Sequence, residues 1–201
     1  MKKRAEYLQT IAEYNPNYDL ELIGRAFDLA CEKHAGQLRK SGEPYVIHPI
    51  AVSEIIAGLG MDENTIVAGL LHDVVEDTDY TNEQLCAEFG EEVELLVDGV
   101  TKLASLKFES KEERQAETLR KMFLAMSKDI RVLIIKLSDR LHNIRTINYM
   151  THEKIQEKCK ETLEIYAPLA SRLGIYQMKF EMEDTCLKYL EPEVYYDLVE
   201  T

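Results

Sequence analysis

The sequence predicts an all-α bundle of helices. Apolar residues recur at helical spacing along almost the whole chain, and no two alternating strand patterns are joined by a turn. The run Val132–Ile135 is rich in β-branched residues and has strand propensity, but no second strand is available to pair with it. We predict helix there as well, since Leu137, Leu141 and Ile144 continue one helical face.

Capping residues and stop signals divide the chain into separate helices. Asp19 and Asp62 precede segments of helical periodicity and are the expected N-caps. Thr81 with Gln84 forms a capping box, and Gly60 suits a helix stop. The predicted helical segments, in chain order, are Leu22–Ala30, His48–Leu59, Ile66–Val74, Thr81–Gly90, Glu92–Leu103, Ser110–Ser127, Ile130–Ile147, Ile155–Leu169, Ile175–Leu190 and a last one from Glu193.

The composition is that of an ordinary globular protein. The 201 residues correspond to one or at most two domains, with 45% hydrophobic and 30% charged residues. No apolar run approaches the roughly 18 residues that span a membrane, and the basic start of the chain is not followed by the apolar core of a signal peptide. The four cysteines are scattered without a C-x-x-C pair, which favours reduced thiols in a cytoplasmic protein.

The net charge of −13 restricts the kinds of partner. It argues against direct binding of nucleic acid, because the backbone phosphates would be repelled. The same repulsion would act on a small phosphorylated substrate. If the substrate is a nucleotide, a metal cation and a few placed Lys or Arg side chains must overcome the negative field locally.

The adjacent residues His72 and Asp73 form the first candidate site. They stand in an apolar segment predicted to be one helix, where Glu76 lies over His72 and Asp77 over Asp73. Buried charges without partners are costly, and a metal ion would supply the partner. All these side chains can then face one cavity.

Two further residues complete a set of metal donors. His48 precedes Pro49 at a predicted helix start, and Asp139 follows the apolar run of a later helix. Two imidazoles and two carboxylates suit Mn, Fe or Zn better than Ca or Mg. Open coordination positions would hold water and a substrate oxygen. A His-Asp dipeptide alone is a weak signal, so the flanking residues decide its meaning.

Three segments resemble, in the same order, the signatures of the RelA/SpoT homologue hydrolases. Arg39–Pro49 is similar to their R-x-SGEPY-x-x-HP motif, His72–Thr78 to HD-x-x-ED, and Lys136–Thr146 to K-L-x-DR-x-HN-x-R-T. Ile165–Gly174 resembles the helical region that joins hydrolase to synthetase in the long bifunctional enzymes. The resemblance covers nearly the whole chain and implies an HD-domain helical bundle.

The resemblance implies metal-dependent hydrolysis of the 3′-pyrophosphate of (p)ppGpp to GDP or GTP plus pyrophosphate. It implies one Mn²⁺ ion as cofactor. The implied site residues are the metal ligands His48, His72, Asp73 and Asp139, the catalytic acids Glu76 and Asp77, and the nucleotide contacts Arg39, Lys40, Ser41, Asn143 and Thr146. Which of the two acids handles the attacking water stays open.

The resemblance also implies a division of the chain. Residues 1–155 would form the hydrolase core, and residues 156–201 a helical extension leading toward a synthetase domain that this sequence lacks. In a full-length protein the hydrolase would be coupled to that synthetase. The extension is expected to carry the coupling.

Some residues and functions keep two interpretations. Lys136, Arg140 and Arg145 are either phosphate ligands or partners of nearby acids, and His34 and His142 are candidates for extra metal ligands. A generic HD phosphohydrolase acting on other nucleotides is one alternative function. A non-catalytic module that binds guanine nucleotide and signals to another domain is a second.

Overall fold

The structure is a computed structural model that describes residues 3–104, 120 and 128–199. Within these residues the regular elements are helices, and strand-like pairing is confined to an isolated bridge between Leu38 and Pro44. The predicted all-α fold is confirmed. The predicted helix Ser110–Ser127 lies outside the described residues, apart from Arg120. None of the described helices combines the length and the apolar character needed to cross a membrane.

The chain is divided into two compact units, one up to Ser138 and one from Asp139 onward. The first contains α1 (Arg4–Tyr14), α2 (Leu20–Lys33), α3 (Ile47–Gly58), α4 (Glu63–Leu71), α5 (Val74–Asp77), α6 (Asn82–Phe89), α7 (Glu91–Ala104) and the first part of α8 (Ile130–Arg145). The boundary falls inside α8, which is one continuous helix. The predicted limit of the hydrolase core at residue 155 concerns function and stays a prediction.

The second unit begins with the rest of α8. Its further described elements are the 3₁₀ turn Ile147–Tyr149, α9 (His152–Glu161), a π-helical segment (Thr162–Tyr166), α10 (Ala167–Arg172), α11 (Tyr176–Leu190) and α12 (Pro192–Val199). The predicted helix Ile155–Leu169 is confirmed as a helical run without a break, and the π-helical segment interrupts only its α-helical bonding pattern. Pro168 has no N–H to donate, and the Ala167 N–H before it reaches five residues back to the Thr162 carbonyl.

The predicted N-caps are confirmed. Asp19 accepts from two backbone N–H groups in the first turn of α2, at 3.1 and 3.0 Å, and Asp62 accepts from that of Thr65 at 3.0 Å. The capping box of Thr81 and Gln84 forms in both directions. These local bonds satisfy N–H groups that the first helical turn leaves without partners, and they set where α2, α4 and α6 begin.

The sequence patterns do not identify α1. Its buried residues Tyr7 and Ile11 are four positions apart, but they are too few to make a periodic pattern. Tertiary contacts hold the helix instead: the Tyr7 ring stacks on Phe27 with 4.9 Å between ring centroids, and its hydroxyl lies 2.9 Å from Ser53 Oγ. This helix is stabilised by packing rather than by propensity.

The predicted unbroken helix through His72 and Asp73 is wrong. Both residues form a turn between α4 and α5. His72 Nδ1 lies 2.8 Å from the Gly69 carbonyl, which would accept the N–H of Asp73 in an unbroken helix. The Asp77 N–H still donates to the Asp73 carbonyl at 2.9 Å, so the turn departs only slightly from the helical path.

The apolar core of the first unit fixes the helices that carry the candidate site. α3 and α4 approach so closely at Gly69 that a Cβ there would collide with the Ile56 side chain. α8 contributes Val132 and Ile135 to the same core. Three helices are thereby held against one another by close packing, which limits how far their polar residues can move.

Candidate metal centre

His48 enters the site from the first turn of α3. Its backbone N–H donates to the Tyr45 carbonyl at 2.9 Å, and its side chain is 3% exposed. Pro49 follows within the first turn, where a missing N–H is tolerated. The imidazole is therefore buried at a well-defined helix start.

His72 is held in one tautomer by its own helix. The Gly69 carbonyl 2.8 Å from Nδ1 can only accept, so in the neutral imidazole Nδ1 carries the proton and Nε2 carries the lone pair. Metal-binding histidines are typically oriented by a backbone acceptor in the same way. His72 is thus arranged to offer Nε2 to a cation.

The predicted metal donors come together in the structure. The ligand atoms of His48, His72 and Asp139 all lie within 4.8 Å of one another, and all three residues are buried. The Nε2 atoms of His48 and His72 lie 3.8 and 3.2 Å from Oδ2 of Asp73. α3, the turn after α4, and α8 therefore each contribute to one cluster of nitrogen and oxygen donors.

This donor set fits a divalent metal ion. Nitrogen and oxygen ligands bind such ions at about 2.0–2.2 Å, so two ligands of one cation are at most about 4.4 Å apart. Because the donor atoms lie within 4.8 Å of one another, at most small side-chain adjustments bring them inside that limit. Imidazoles and acids buried together are costly without a cation to pair them. His34 and His142, considered above as extra ligands, are not in the cluster found among the described residues.

Asn143 supports Asp139 from one turn further along α8. Its Nδ2 donates to Asp139 Oδ1 at 2.6 Å, and metal-binding carboxylates are commonly hydrogen-bonded in this manner. The Thr146 hydroxyl donates to the His142 carbonyl at 3.0 Å, within its own helix end. The nucleotide contacts of Asn143 and Thr146 stay predictions.

Glu76 and Asp77 lie on α5 with exposed side chains, directly after the candidate ligands. Partial burial raises the pKa of Glu76, and the negative charges of Asp73 and Asp77 add to this; the positive charge of Lys136 opposes them. A carboxyl group with a raised pKa beside a metal site is suited to proton transfer. The catalytic roles of both acids stay predictions.

The loop predicted to contact the nucleotide is a closed turn before α3. The Arg39 N–H donates to the Glu43 carbonyl at 2.8 Å, and the Gly42 N–H donates to the Arg39 carbonyl at 2.9 Å. Gly42 has φ +84°, a conformation that favours glycine. The Ser41 hydroxyl donates to Glu43 at 3.0 Å. Lys40, the second residue of this turn, is exposed.

The structure distinguishes the basic residues that were open to two interpretations. Within the second unit Arg140 Nη2 lies 2.9 Å from Glu161, and Arg145 Nη2 donates to Glu181 at 2.8 Å. Both arginines are thus partners of nearby acids. Lys136, in the first unit, contributes a positive charge near Glu76 and remains a candidate phosphate ligand.

Tyr45 belongs to the Arg39–Pro49 motif, but no role in the site was predicted for it from the sequence. Its hydroxyl donates to Asp73 Oδ2 at 2.7 Å. Burial, and then the charge of Asp73, raise the pKa of Tyr45, so the hydroxyl remains a donor at neutral pH. The signal in the sequence is its place in that motif, three residues before the candidate ligand His48.

Comparison with known proteins shows that the chain is similar to proteins named as pyrophosphohydrolases and pyrophosphokinases of guanine nucleotides. A probable guanosine-3′,5′-bis(diphosphate) 3′-pyrophosphohydrolase of Synechocystis is 57% identical over 174 residues, covering 87% of this chain and 23% of that protein. A GTP pyrophosphokinase of Myxococcus xanthus is 50% identical over 192 residues, covering 94% of this chain and 25% of that protein. The chain thus spans about a quarter of the length of these relatives.

A solved structure and a protein-family match support the same relationship. The structure of a metazoan orthologue of SpoT that hydrolyses ppGpp is similar with a TM-score of 0.60 and 29% identity, covering 82% of this chain and 93% of that chain. Residues 26–176, more than half of the chain, match the HD domain, whose hydrolases use a divalent metal. The resemblance to the RelA/SpoT homologues is confirmed, and the chain belongs to the HD domain family.

Proposed function

We propose that this chain hydrolyses the 3′-pyrophosphate of guanosine 3′,5′-bis(diphosphate) and of its pentaphosphate, releasing pyrophosphate and GDP or GTP. The observation that carries the proposal is the cluster of ligand atoms of His48, His72 and Asp139 within 4.8 Å, beside Asp73. The similarity over most of the chain to a protein named for this reaction supports the choice of substrate. A solved relative that hydrolyses ppGpp supports it further.

Mn²⁺ is the proposed metal, with His48, His72, Asp73 and Asp139 as its ligands. Two imidazole nitrogens with carboxylate oxygens favour Mn, Fe or Zn over Ca or Mg, which prefer oxygen alone. When bound, such a metal polarises a phosphoryl oxygen and lowers the pKa of a water molecule. In the neutral His72 imidazole the Nδ1–H donates to the Gly69 carbonyl, which leaves the Nε2 lone pair for the metal and supports the role of His72 as a ligand.

Glu76 and Asp77 are the proposed acids of the reaction. A water oxygen forms a bond to the phosphorus next to the 3′ oxygen, the bond from phosphorus to the 3′ oxygen breaks, and that oxygen takes up a proton. One carboxylate removes a proton from the attacking water. The other carboxyl group either orients this water or donates the proton that the leaving 3′ oxygen takes up. The raised pKa of Glu76 allows it to hold a proton at a higher pH than an ordinary glutamate does.

The turn carrying Arg39, Lys40 and Ser41 is the proposed guanine-nucleotide contact, together with Asn143 and Thr146. A guanidinium group can stack flat on guanine, and an ammonium group meets a phosphate as a point charge. These positive groups matter because the chain as a whole carries a net charge of −13. They counter its repulsion of a highly phosphorylated substrate locally.

Pyrophosphate release from ppGpp by the metal-free chain, with and without added Mn²⁺, tests the proposal. We expect release when Mn²⁺ is added and none without a metal, with GDP formed in equal amount. Fe²⁺, Zn²⁺ and Mg²⁺ are compared in parallel, and Mg²⁺ should support the slowest reaction. No release with any of these metals would contradict the proposed function.

A substrate panel separates the alternatives. Comparable hydrolysis of deoxynucleoside triphosphates or cyclic nucleotides would favour a generic HD phosphohydrolase. Binding of ppGpp without any product, in the presence of each metal, would favour a non-catalytic regulatory module. The proposal requires that ppGpp and pppGpp be preferred over both other groups of nucleotide.

We also propose that in a longer protein this domain is coupled to a (p)ppGpp synthetase domain. The similarity to a protein named GTP pyrophosphokinase, of which this chain covers a quarter, supports the coupling. It predicts that a nucleotide bound to the synthetase changes the hydrolysis rate of the longer protein. An unchanged hydrolysis rate would contradict the coupling.

A further inference from the structure

Tyr45 links two parts of the candidate site through separate groups. Its hydroxyl donates to Asp73 Oδ2 at 2.7 Å, and this same oxygen lies close to both His48 and His72. Its ring contacts two histidines, with centroids 4.8 Å from that of His34 and 6.1 Å from that of His48. The aromatic contacts fix the ring, and the ring fixes the direction of the O–H group.

The backbone of Tyr45 closes the turn that contains the nucleotide-contact residues. Its N–H donates to the Gln37 carbonyl at 2.9 Å, next to the bridge between Leu38 and Pro44. The Gln37 side chain in turn donates to the Asp77 carbonyl at 3.3 Å. The base of the turn is therefore bonded to α5 as well as to the residue that contacts Asp73.

A neutral donor has a specific use beside a metal ligand. The Asp73 side chain is 19% exposed, so few water molecules can replace a lost hydrogen bond. A tyrosine hydroxyl occupies one lone pair of the carboxylate without neutralising its charge, whereas a lysine or arginine would compete with the cation. The remaining lone pairs of Asp73 stay available in a fixed orientation.

We propose that Tyr45 is a positioning residue that holds the Asp73 carboxylate beside His48 and His72 and joins the Arg39–Ser41 turn to the metal centre. It acts on the metal centre through Asp73, and its hydroxyl also interacts with the Asp77 carboxylate. The inference rests on the proposed metal centre. It does not depend on which nucleotide is hydrolysed, because its test measures metal binding.

The test compares Tyr45→Phe with Tyr18→Phe, a matched control that loses a hydroxyl donating to the Met61 carbonyl at 2.6 Å. Each metal-free protein is titrated with Mn²⁺ by calorimetry and by the electron paramagnetic resonance signal of free Mn²⁺. We expect Tyr45→Phe to raise the dissociation constant for Mn²⁺ by about 10–100-fold, as loss of a group supporting a metal ligand does. Tyr18→Phe should leave it unchanged.

Two further measurements separate positioning from folding and from substrate binding. The melting temperatures of the two metal-free variants should fall by similar small amounts. With ppGpp, Tyr45→Phe should need more Mn²⁺ for half-maximal rate and regain most of its kcat at saturating Mn²⁺.

Three outcomes would overturn the inference: wild-type affinity of Tyr45→Phe for Mn²⁺, a much lower melting temperature than that of Tyr18→Phe, or a change in KM for ppGpp alone. If wild-type protein binds Mn²⁺ but hydrolyses no ppGpp, the proposed function fails while the binding comparison still decides the role of Tyr45.

Discussion

The two ends of α4 use charged residues in opposite ways. At its start, Asp62 caps the helix and lies 3.4 Å from Arg131, which also pairs with Asp129 at 2.6 Å and with Glu92 at 2.5 Å. At its end, the Asp73 carboxylate lies 3.8 and 3.2 Å from the Nε2 atoms of His48 and His72 and accepts a hydrogen bond from the Tyr45 hydroxyl. At the start of α4, here called the balanced end, Arg131 pairs with the acids Asp62, Glu92 and Asp129. At the other end, here called the functional end, the side chains of His48, His72 and Asp73 are arranged for a metal cation.

The pKa directions reflect this difference. At the start of α4 burial favours the neutral form of Asp62, but hydrogen bonds from Thr65 and the charge of Arg131 outweigh it and lower its pKa. At the other end the pKa of Glu76 is raised, first by partial burial and then by Asp73 and Asp77. Like charges held together in one place are typical of binding and catalytic sites.

The largest expected effect is loss of the cation at the functional end. Asp73→Asn should reduce pyrophosphate release from ppGpp to background and abolish measurable Mn²⁺ binding, because a neutral amide is a poor ligand in place of a carboxylate. The free energy of unfolding of the metal-free protein should change by less than about 1 kcal/mol, measured by urea denaturation.

The exposed acid Asp28, which pairs with Arg4 at 3.0 Å, provides the matched control. Asp28→Asn should retain Mn²⁺ binding and hydrolysis. Full Mn²⁺ affinity in Asp73→Asn would remove that residue from the ligand set.

Glu76→Gln should slow hydrolysis without loss of the metal. An amide cannot take up the proton of the attacking water, so we expect kcat to fall by about 10²–10⁴-fold. The dissociation constant for Mn²⁺, measured by calorimetry, should stay within about threefold of wild type, since Glu76 is not among the proposed ligands. An undiminished kcat would exclude Glu76 from the chemistry.

Binding of Mn²⁺ at the functional end should raise the free energy of unfolding of the protein. A ligand that binds only the folded state at about 100 times its dissociation constant adds about 2.7 kcal/mol to the free energy of unfolding. For a chain of this size the melting temperature should rise by about 5–10 °C, measured by circular dichroism. The same Mn²⁺ concentration should leave the melting temperature of Asp73→Asn unchanged, and an equal rise there would place the binding elsewhere.

Removing the positive charge of Arg131 at the balanced end should lower the stability of the protein without changing Mn²⁺ binding or hydrolysis. Arg131→Met keeps much of the apolar stem but leaves Asp62, Glu92 and Asp129 without their shared partner. We expect the free energy of unfolding to fall by about 1–2 kcal/mol, a modest value because these groups are partly exposed to solvent. Mn²⁺ affinity and the rate per folded molecule should match wild type. A loss of Mn²⁺ affinity would contradict the separation of the two ends.

The smallest expected effect is the pH dependence of the difference in unfolding free energy between wild type and Arg131→Met. The hydrogen bond from Arg131 lowers the pKa of Asp129, and the pKa of Asp62 is lowered as well. Acids with a depressed folded pKa contribute stability above their unfolded pKa of about 4, and this is lost as pH falls through the folded pKa. The gap between wild type and Arg131→Met should therefore be full at neutral pH and shrink in acid, as urea midpoints would show. A gap that widens in acid would refute this.

Local signals predicted much of the fold and the identity of the donors. The caps at Asp19, Asp62 and Thr81 were correct because a capping side chain bonds a backbone N–H two or three residues away. The break at His72 was missed, because a periodic pattern does not reveal a side chain that takes over a backbone acceptor. α1 was missed because its stability comes from residues far along the chain, such as its stacking partner Phe27.

The sequence by itself determined the helical class and placed two histidines and two aspartates in recognisable motifs, because helical periodicity and motif spacing are properties of neighbouring residues. Only the tertiary structure decided that these donors converge, which tautomer His72 adopts, and that the Tyr45 hydroxyl supports Asp73. Those outcomes depend on distances between helices, and such distances are set by the packing of the core around α3, α4 and α8.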